Sequence, residues 1–385
     1  MIISVAWWDK PTDFEQNPLH CLAAGIRGLG SEERMVFLLN DAEMLPPDFR
    51  RLLRQLNVEL VKVDDMKSRV ANAFPHLALH SHFELNCFVR WLFIEEYLKK
   101  QKKPVRDILI VDGDILFLVK PEELIRAFTG TSFVLQGCPA LTFLAEPLDW
   151  LGKYLSNLSR FAENIEAFSR EIWKNKAEKA SRVPEPGDFS RNPLASDQDL
   201  ISALIMNGLL PQDDIAGIRQ KEKLYMAENP LYMFYYYRRE ANHNFVFRRE
   251  PPGEITINGA RISHLHFQTS FTDYCCRALF SKPRLPGRVP NLYAAPAQSL
   301  IKRGLNLLAR KYYAAVMKPV ERQQLYLGIR ELGALILKGA EACGVPQEIR
   351  EKYFPVKHRQ EDLYSLRDIF SPESWWQKDV SISWQ

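Results

Sequence analysis

Residues 108–118 read ILIVDGDILFL, and this run constrains the fold more than any other part of the chain. Four apolar residues, the triplet Asp112-Gly113-Asp114 and four more apolar residues describe a strand of nearly continuous hydrophobic character, Asp107–Leu118. A strand with one wet face alternates apolar and polar residues, so this one belongs inside a sheet covered on both sides. The upstream chain supplies such a sheet. Ile2–Trp7, Met35–Leu39 and Val58–Val63 are apolar runs of strand length. Between them, Leu19–Leu29 has helical spacing and meets Gly30, and Pro46–Gln55 opens on Pro-Pro with Asp48 close behind. His82–Lys100 is a longer helix leading into the central strand. Strand, helix, strand, helix, strand predicts an α/β architecture with a parallel sheet and helices on both faces.

At 385 residues the chain has room for one large α/β domain and an accessory part. A hydrophobic fraction of 46% with 25% charged residues excludes a disordered chain, a collagen-like fibre and a disulfide-dense miniprotein. The net charge of +4 is too small for wholesale nucleic-acid binding, and no recognised nucleic-acid motif is present. The six Cys form no C-x-x-C pair, so zinc-ribbon and thioredoxin-type chemistry lack their spacing. Scattered in this way they read as reduced thiols. The opening MIISVAWWDK has no basic leader, and no run approaches the roughly 18–20 apolar residues of a membrane span. These features set the expectation of a cytoplasmic protein, held at most peripherally on a membrane.

Beyond Pro121 the pattern loosens. Phe133–Gln136 is a strand candidate, Leu148–Lys179 an amphipathic helix and Val183–Pro193 a loop. Ser196–Asn207 resumes as a helix capped by Ser196 or Asp197. Ile255–Ile257 and Ala260–Phe267 flank Asn258-Gly259, which suits a two-residue hairpin turn. From Phe271 onward helix dominates, over 271–280, 296–318, 321–342 and 346–353.

The chemistry gathers at Asp112 and Asp114. On a strand they share a face, and the carboxyl end of a strand in an open α/β sheet is where ligands bind. Adjacent carboxylates repel each other unless a proton or cation intervenes. Oxygen donors of this kind suit Mg²⁺ or Mn²⁺, and Gly113 lets a ligand approach the backbone. The alternative is a plain polar turn, which the apolar flanks disfavour. Arg90 lies inside CFVRWLFI, where a charge must be paired or used; a structural ion pair explains it as well as a phosphate contact does.

Four apolar residues, Asp-x-Asp and further apolar residues resemble the signature of GT-A nucleotide-sugar glycosyltransferases. Three other segments resemble glycosyltransferase family eight in matching order: ELNCFVRWLFIEEYL (84–98), ASDQDLISALI (195–205) and HLHFQ (264–268). The chain departs from that family at Ser202, where the family has Asn, and at Gln268-Thr269-Ser270-Phe271, where it has Gly and then Lys. It thus resembles a divergent member or a neighbouring family.

The resemblance implies a GT-A-like, Rossmann-type mixed sheet flanked by helices, with a helical insertion and a helical C-terminal extension. The implied divisions are a catalytic domain over 1–270, with a nucleotide-binding part (1–137), an insertion (about 146–195) and an acceptor and metal part (196–270), followed by a helical, basic 271–385. The implied activity is metal-dependent transfer of a sugar from a UDP-sugar to a carbohydrate or lipid-linked glycan, with retention. Mn²⁺ or Mg²⁺ would be held by Asp112, Asp114 and His266, with His264 two residues earlier on the same strand face. Arg90 would reach the donor phosphate, the sugar or an Asp of the pair. Trp7, Trp8 and Asp9 would grip the base, with Asp112 and Gly113 also at the nucleotide. Asp199 or Gln198 would face the anomeric carbon, and Asp197 would position sugar hydroxyls.

Two other functions share some of these features. A haloacid-dehalogenase-type phosphatase or phosphotransferase would use Asp112 as nucleophile, although its motif usually lies near the N-terminus and is not followed by a pair such as Ile115-Leu116. A non-catalytic, membrane-associated binding protein could retain the fold. Ser281–Leu325 carries nine Lys or Arg and the single acid Glu321. Its amphipathic part, 296–324, sets basic residues among Leu300, Ile301, Leu305, Leu308, Tyr312 and Val316, a pattern suited to an anionic membrane surface or to docking on the catalytic domain.

Overall fold

The structure is a computed structural model. It describes residues 1–6, 19–63, 82–135, 139–169, 197–213, 223–225, 244–250, 254–257, 259–266, 329–354 and 381–384, with isolated residues between 69 and 77 and at 171.

The elements in chain order begin with β1 (Ile2–Ala6), α1 (Leu19–Gly28), β2 (Met35–Leu39), α2 (Pro47–Gln55), β3 (Val58–Lys62), α3 (His82–Lys99) and β4 (Ile108–Val111). There follow β5 (Ile115–Phe117), α4 (Pro121–Ala127), β6 (Phe133–Val134), β7 (Leu141–Leu144), α5 (Pro147–Glu163) and α6 (Asp197–Met206). The rest are β8 (Leu224–Tyr225), β9 (Asn244–Glu250), β10 (Glu254–Ile257), β11 (Ala260–Ile262), β12 (His264–His266), α7 (Ile329–Ala342), α8 (Gln347–Tyr353) and β13 (Ser381–Trp384). Proline opens α2, α4 and α5, where its missing N–H costs nothing and its fixed φ suits a first turn.

Six strands form one sheet in the order β3-β2-β1-β4-β7-β6. β1, β2, β3 and β4 run parallel, with Ile2 opposite Met35 and Leu109. β7 runs antiparallel to both β4 and β6, so the sheet is mixed. This is the expected α/β architecture with helices on both faces. Alternate residues along each strand feed two cores. Ile2, Phe37, Leu39, Leu109 and Val111 pack with α1, α2, α4, α7 and α8. Ile3, Val36, Leu38, Ile108 and Ile110 pack with α3, α5 and α6. Residues 329–354, from the C-terminal region, therefore lie in the same core as the first strand. The α1–α7 crossing is close: a Cβ on Gly339 would stand 1.8 Å from the Ala24 carbonyl oxygen, and one on Gly28 2.0 Å from that of Leu335.

The structure revises the central strand. Asp107–Leu118 is two strands, not one. β4 ends at Val111, and Asp112-Gly113-Asp114 turns, with the Ile115 amide donating to the Asp112 carbonyl at 3.2 Å. β5 leaves the main sheet and pairs antiparallel with β12. The two carboxylates thus sit on a turn and not on one strand face. Asp and Gly favour turns, and the apolar flanks bury themselves separately, Val111 in the main sheet and Ile115–Phe117 in the β5–β12 ribbon.

Other expectations needed smaller corrections. The helix from Leu148 ends at Glu163, and a further short helix occupies 165–169, its Ala167 amide donating to the Asn164 side chain at 2.9 Å. The hairpin forms with Ile257 opposite Ala260 and Gly259 at φ 77°. Its second arm breaks at Ser263, and β12 continues toward β5. The sequence pattern assigns no element at α4, β7, β8, β9 or β13. Segments 183–193, 271–280 and 296–318 lie outside the described residues. Among the described residues, no helix is long and apolar enough to cross a membrane.

Candidate active site

Strand order reverses beside β1: the chain runs outward through β2 and β3, then returns to place β4 on the other flank of β1. Such a switch point opens a crevice at the carboxyl ends of the two central strands. The Asp112-Gly113-Asp114 turn follows β4 at that end. Its Asp112 amide donates to the Ala140 carbonyl at 2.9 Å, which ties the turn to the start of β7.

Three side chains distant in sequence meet behind this turn. Arg90 comes from the middle of α3, Asp112 from the turn and Asp197 from the first turn of α6. The Arg90 Nη1 bonds the Asp112 Oδ1. Its Nε reaches the Asp197 Oδ2 at 3.0 Å and its Nη2 the same oxygen at 2.9 Å. The indole N–H of Trp91 donates to that oxygen as well, at 2.9 Å. The side chains of Arg90, Asp112 and Asp197 are 13%, 32% and 3% exposed, so the network runs from the core to the crevice.

One cation thus stands between two carboxylates. Burial works against the charge on Arg90, and Asp112 and Asp197 more than offset it, so its pKa lies above the ordinary arginine value. Burial also raises the pKa of Asp197, against the pull of Arg90 and the Trp91 N–H. The Tyr154 phenol, raised by burial and by the Asp197 charge, stays protonated and donates to the Phe88 carbonyl at 3.1 Å. Trp91, Trp150 and Tyr154 form the apolar backing, with Trp91 at 5.4 Å and 5.7 Å centroid distance from the other two rings.

The remaining sequence-assigned residues fall around this network. Asp197 is buried on Arg90 and Trp91. Gln198 and Asp199 follow it, half-buried, on the first turn of α6. Gly113 and Asp114 are half-buried on the turn. The backbone of His266 lies opposite Ile115, one residue from Asp114, while its side chain lies outside the described residues. His264 is buried, its Nδ1 sharing a hydrogen bond with the Ser263 Oγ at 2.8 Å. Trp7, Trp8 and Asp9 also lie outside, immediately after β1. Among the described residues, no group of three or more His, Cys, Asp or Glu has the geometry to hold a metal ion. Sequence reasoning missed Trp91. The one signal it offers is that a buried indole N–H requires an acceptor.

No protein-family model matches the chain, and no curated protein matches it. Among solved structures, it is similar to the apo form of the glycosyltransferase GlyE of Streptococcus pneumoniae TIGR4 at 13% identity and a TM-score of 0.29. That likeness covers 56% of this chain and 44% of the GlyE chain, so the chain spans less than half of that protein's length. Mouse xyloside xylosyltransferase 1 is similar at 13% identity and a TM-score of 0.36, over 56% of this chain and 84% of its own. The galactosyltransferase LgtC, in complex with donor and acceptor sugar analogs, is similar at 15% identity and a TM-score of 0.29, over 53% of this chain and 69% of its own. Likenesses of this size leave the activity to be argued from the site.

Proposed function

We propose that the protein is a metal-dependent glycosyltransferase that takes a sugar from a nucleoside-diphosphate donor, a UDP-sugar, and passes it to a carbohydrate or lipid-linked glycan with retention. The observation that carries this reading is the Asp112-Gly113-Asp114 turn at the β1/β4 switch point, gripped from behind by Arg90. Two carboxylates on a turn, with the His266 backbone one register position away, make a donor set that suits Mn²⁺ or Mg²⁺. Asp112, Asp114 and His266 would hold the ion, which supplies Lewis-acid stabilisation of charge on a departing diphosphate.

The chain's own residues prepare that site. Arg90 bonds Asp112 through its Nη1 and fixes its orientation. Asp197 balances Arg90 from the buried side and acts through it. Gln198 and Asp199, one and two residues further along α6, are the groups that would face the transferred sugar. Trp7, Trp8 and Asp9 would hold the base.

Titration calorimetry with UDP, GDP and CDP, with and without Mn²⁺, tests the assignment. Mn²⁺-dependent binding of UDP is the expected outcome. Binding of inorganic phosphate analogues with no nucleotide preference would replace this reading with the phosphotransferase one. The NMR-determined configuration of the first-formed linkage tests retention, and an inverted product would make Asp199 the base acting on the acceptor hydroxyl.

A further inference from the structure

We propose that Trp91 is a positioning residue for the candidate metal-bearing turn: its indole N–H and the Arg90 guanidinium share one oxygen of Asp197, and this pins the guanidinium in the orientation that holds Asp112. The proposal rests on the reading of Asp112-Gly113-Asp114 as metal-bearing.

Arg90 and Trp91 are successive residues of α3 and would point about 100° apart around a regular helix. They converge because Asp197, at the start of α6, reaches across to both. Its Oδ2 accepts from Arg90 Nε at 3.0 Å, Arg90 Nη2 at 2.9 Å and Trp91 Nε1 at 2.9 Å. A guanidinium is a planar fork, so fixing the atom that its Nε and Nη2 grip also fixes the direction of its Nη1. That Nη1 carries the bond to Asp112.

The position of the Asp197 oxygen is therefore transmitted to the turn. The indole that locates this oxygen is fully buried and wedged against Trp150 and Tyr154. The Arg90 guanidinium carbon also lies 5.0 Å from the Trp91 ring centroid, so the same side chain touches both members of the ion pair. Trp150 belongs to the same cluster, but its indole N–H turns away and donates to the Pro211 carbonyl at 3.3 Å.

This difference between two tryptophans supplies the control. Mn²⁺ affinity in the presence of UDP, read by electron paramagnetic resonance of the free ion, should fall about 10- to 100-fold in Trp91→Phe, as for loss of an outer-shell partner of a metal ligand. Trp150→Phe, which trims the same aromatic cluster, should stay within about twofold of wild type while lowering the melting temperature to a similar degree. In an Asp197→Ala background, which removes the accepting oxygen, Trp91→Phe should add no further loss, because the two act through one contact.

Equal weakening in the two tryptophan variants, or wild-type affinity in Trp91→Phe, would overturn the proposal. A wild-type protein that binds no Mn²⁺ with or without UDP would instead overturn the metal reading beneath it. Should Trp91→Phe not fold, ¹⁵N-indole spectra of the wild type decide. The resonance displaced by Asp197→Asn should move when Mg²⁺ and UDP are added together, and a stationary resonance counts against the proposal.

Discussion

At the scale of single residues, the site is a problem in charge balance. Asp114 stands two residues from Asp112 on a half-buried turn, so its removal relieves repulsion and opens no core cavity. Asp114→Ala is expected to abolish metal-dependent UDP binding in calorimetry while leaving the melting temperature within a few degrees of wild type. Undiminished Mn²⁺ dependence in that variant would remove Asp114 from the ligand set. Arg90 is the opposite case. Replacing it by Met leaves Asp197 as an uncompensated buried carboxylate, and breaking a buried pair from one side costs about 3–5 kcal/mol. Urea unfolding of Arg90→Met should register a loss of that order. The sequence made Arg90 legible because a charge inside an apolar helix demands a partner, and Asp112 because of its motif. Nothing in the sequence indicates that Asp197 would turn inward, since an acid on a helix's first turn is equally at home in solvent.

At the scale of elements, two contacts carry testable consequences. His20 of α1 lies in an aromatic cage, its ring centroid 5.3 Å from Phe49 of α2, 6.4 Å from Tyr353 of α8 and 5.3 Å from Phe354. Burial lowers its pKa to about 4, against a smaller raising effect from a backbone hydrogen bond at Tyr353. The unfolded chain takes up this proton near pH 6.5 and the folded chain only near 4. Between those values the unfolded state binds more protons, so stability is lost as pH falls. Full development of that shift corresponds to about 3 kcal/mol. Chemical denaturation from pH 7 to 4 should show the decline, and His20→Phe should flatten it.

The α1–α7 crossing gives the second consequence. Gly339→Ala puts a methyl group into the Ala24 carbonyl and should cost about 3 kcal/mol or more in denaturant unfolding. Gly130→Ala meets open space and pays only for its φ of 82°, roughly 1–2 kcal/mol. Elements were legible where period and punctuation agreed, as in α2 with its prolines or the Asn258-Gly259 hairpin. They were not where a short apolar run served two sheets. Ile115–Phe117 looks like more of β4 because both stretches are buried, and only pairing with β12, about 150 residues downstream, separates them.

At the scale of the whole molecule, the parallel part of the sheet and its two covered faces followed from the alternation of apolar runs and helices in the first third of the chain, and its mixed character was implied only by the resemblance. The partner strands did not, because β7 and β13 are four residues each and their pairing is non-local. The basic stretch 296–324 carries a proposal of its own, recruitment to anionic membranes where a lipid-linked acceptor would reside. Each Lys or Arg near such a surface contributes about 1 kcal/mol, and the sum is screened by salt. Co-sedimentation with phosphatidylserine-containing liposomes should fall with added salt. It should also be lost when Lys302, Arg303, Arg310 and Lys311 are all changed to Glu. Equal binding of both proteins, or none by either, would mean that the stretch docks on the protein itself.

The glycine contact between α1 and α7 joins two helices with about 300 residues of chain between them. On the ribosome those helices emerge at very different times. At roughly 5–20 residues per second, α1 waits about 15–60 s for the helix that covers it. Throughout that interval the sheet face carrying Ile2, Phe37 and Leu109 lacks part of its cover. A nascent chain of this design therefore carries that uncovered apolar surface until residues 329–354 are translated, and a stop codon before residue 329 leaves a polypeptide with its first strand in place and the contact surface of α1 without α7.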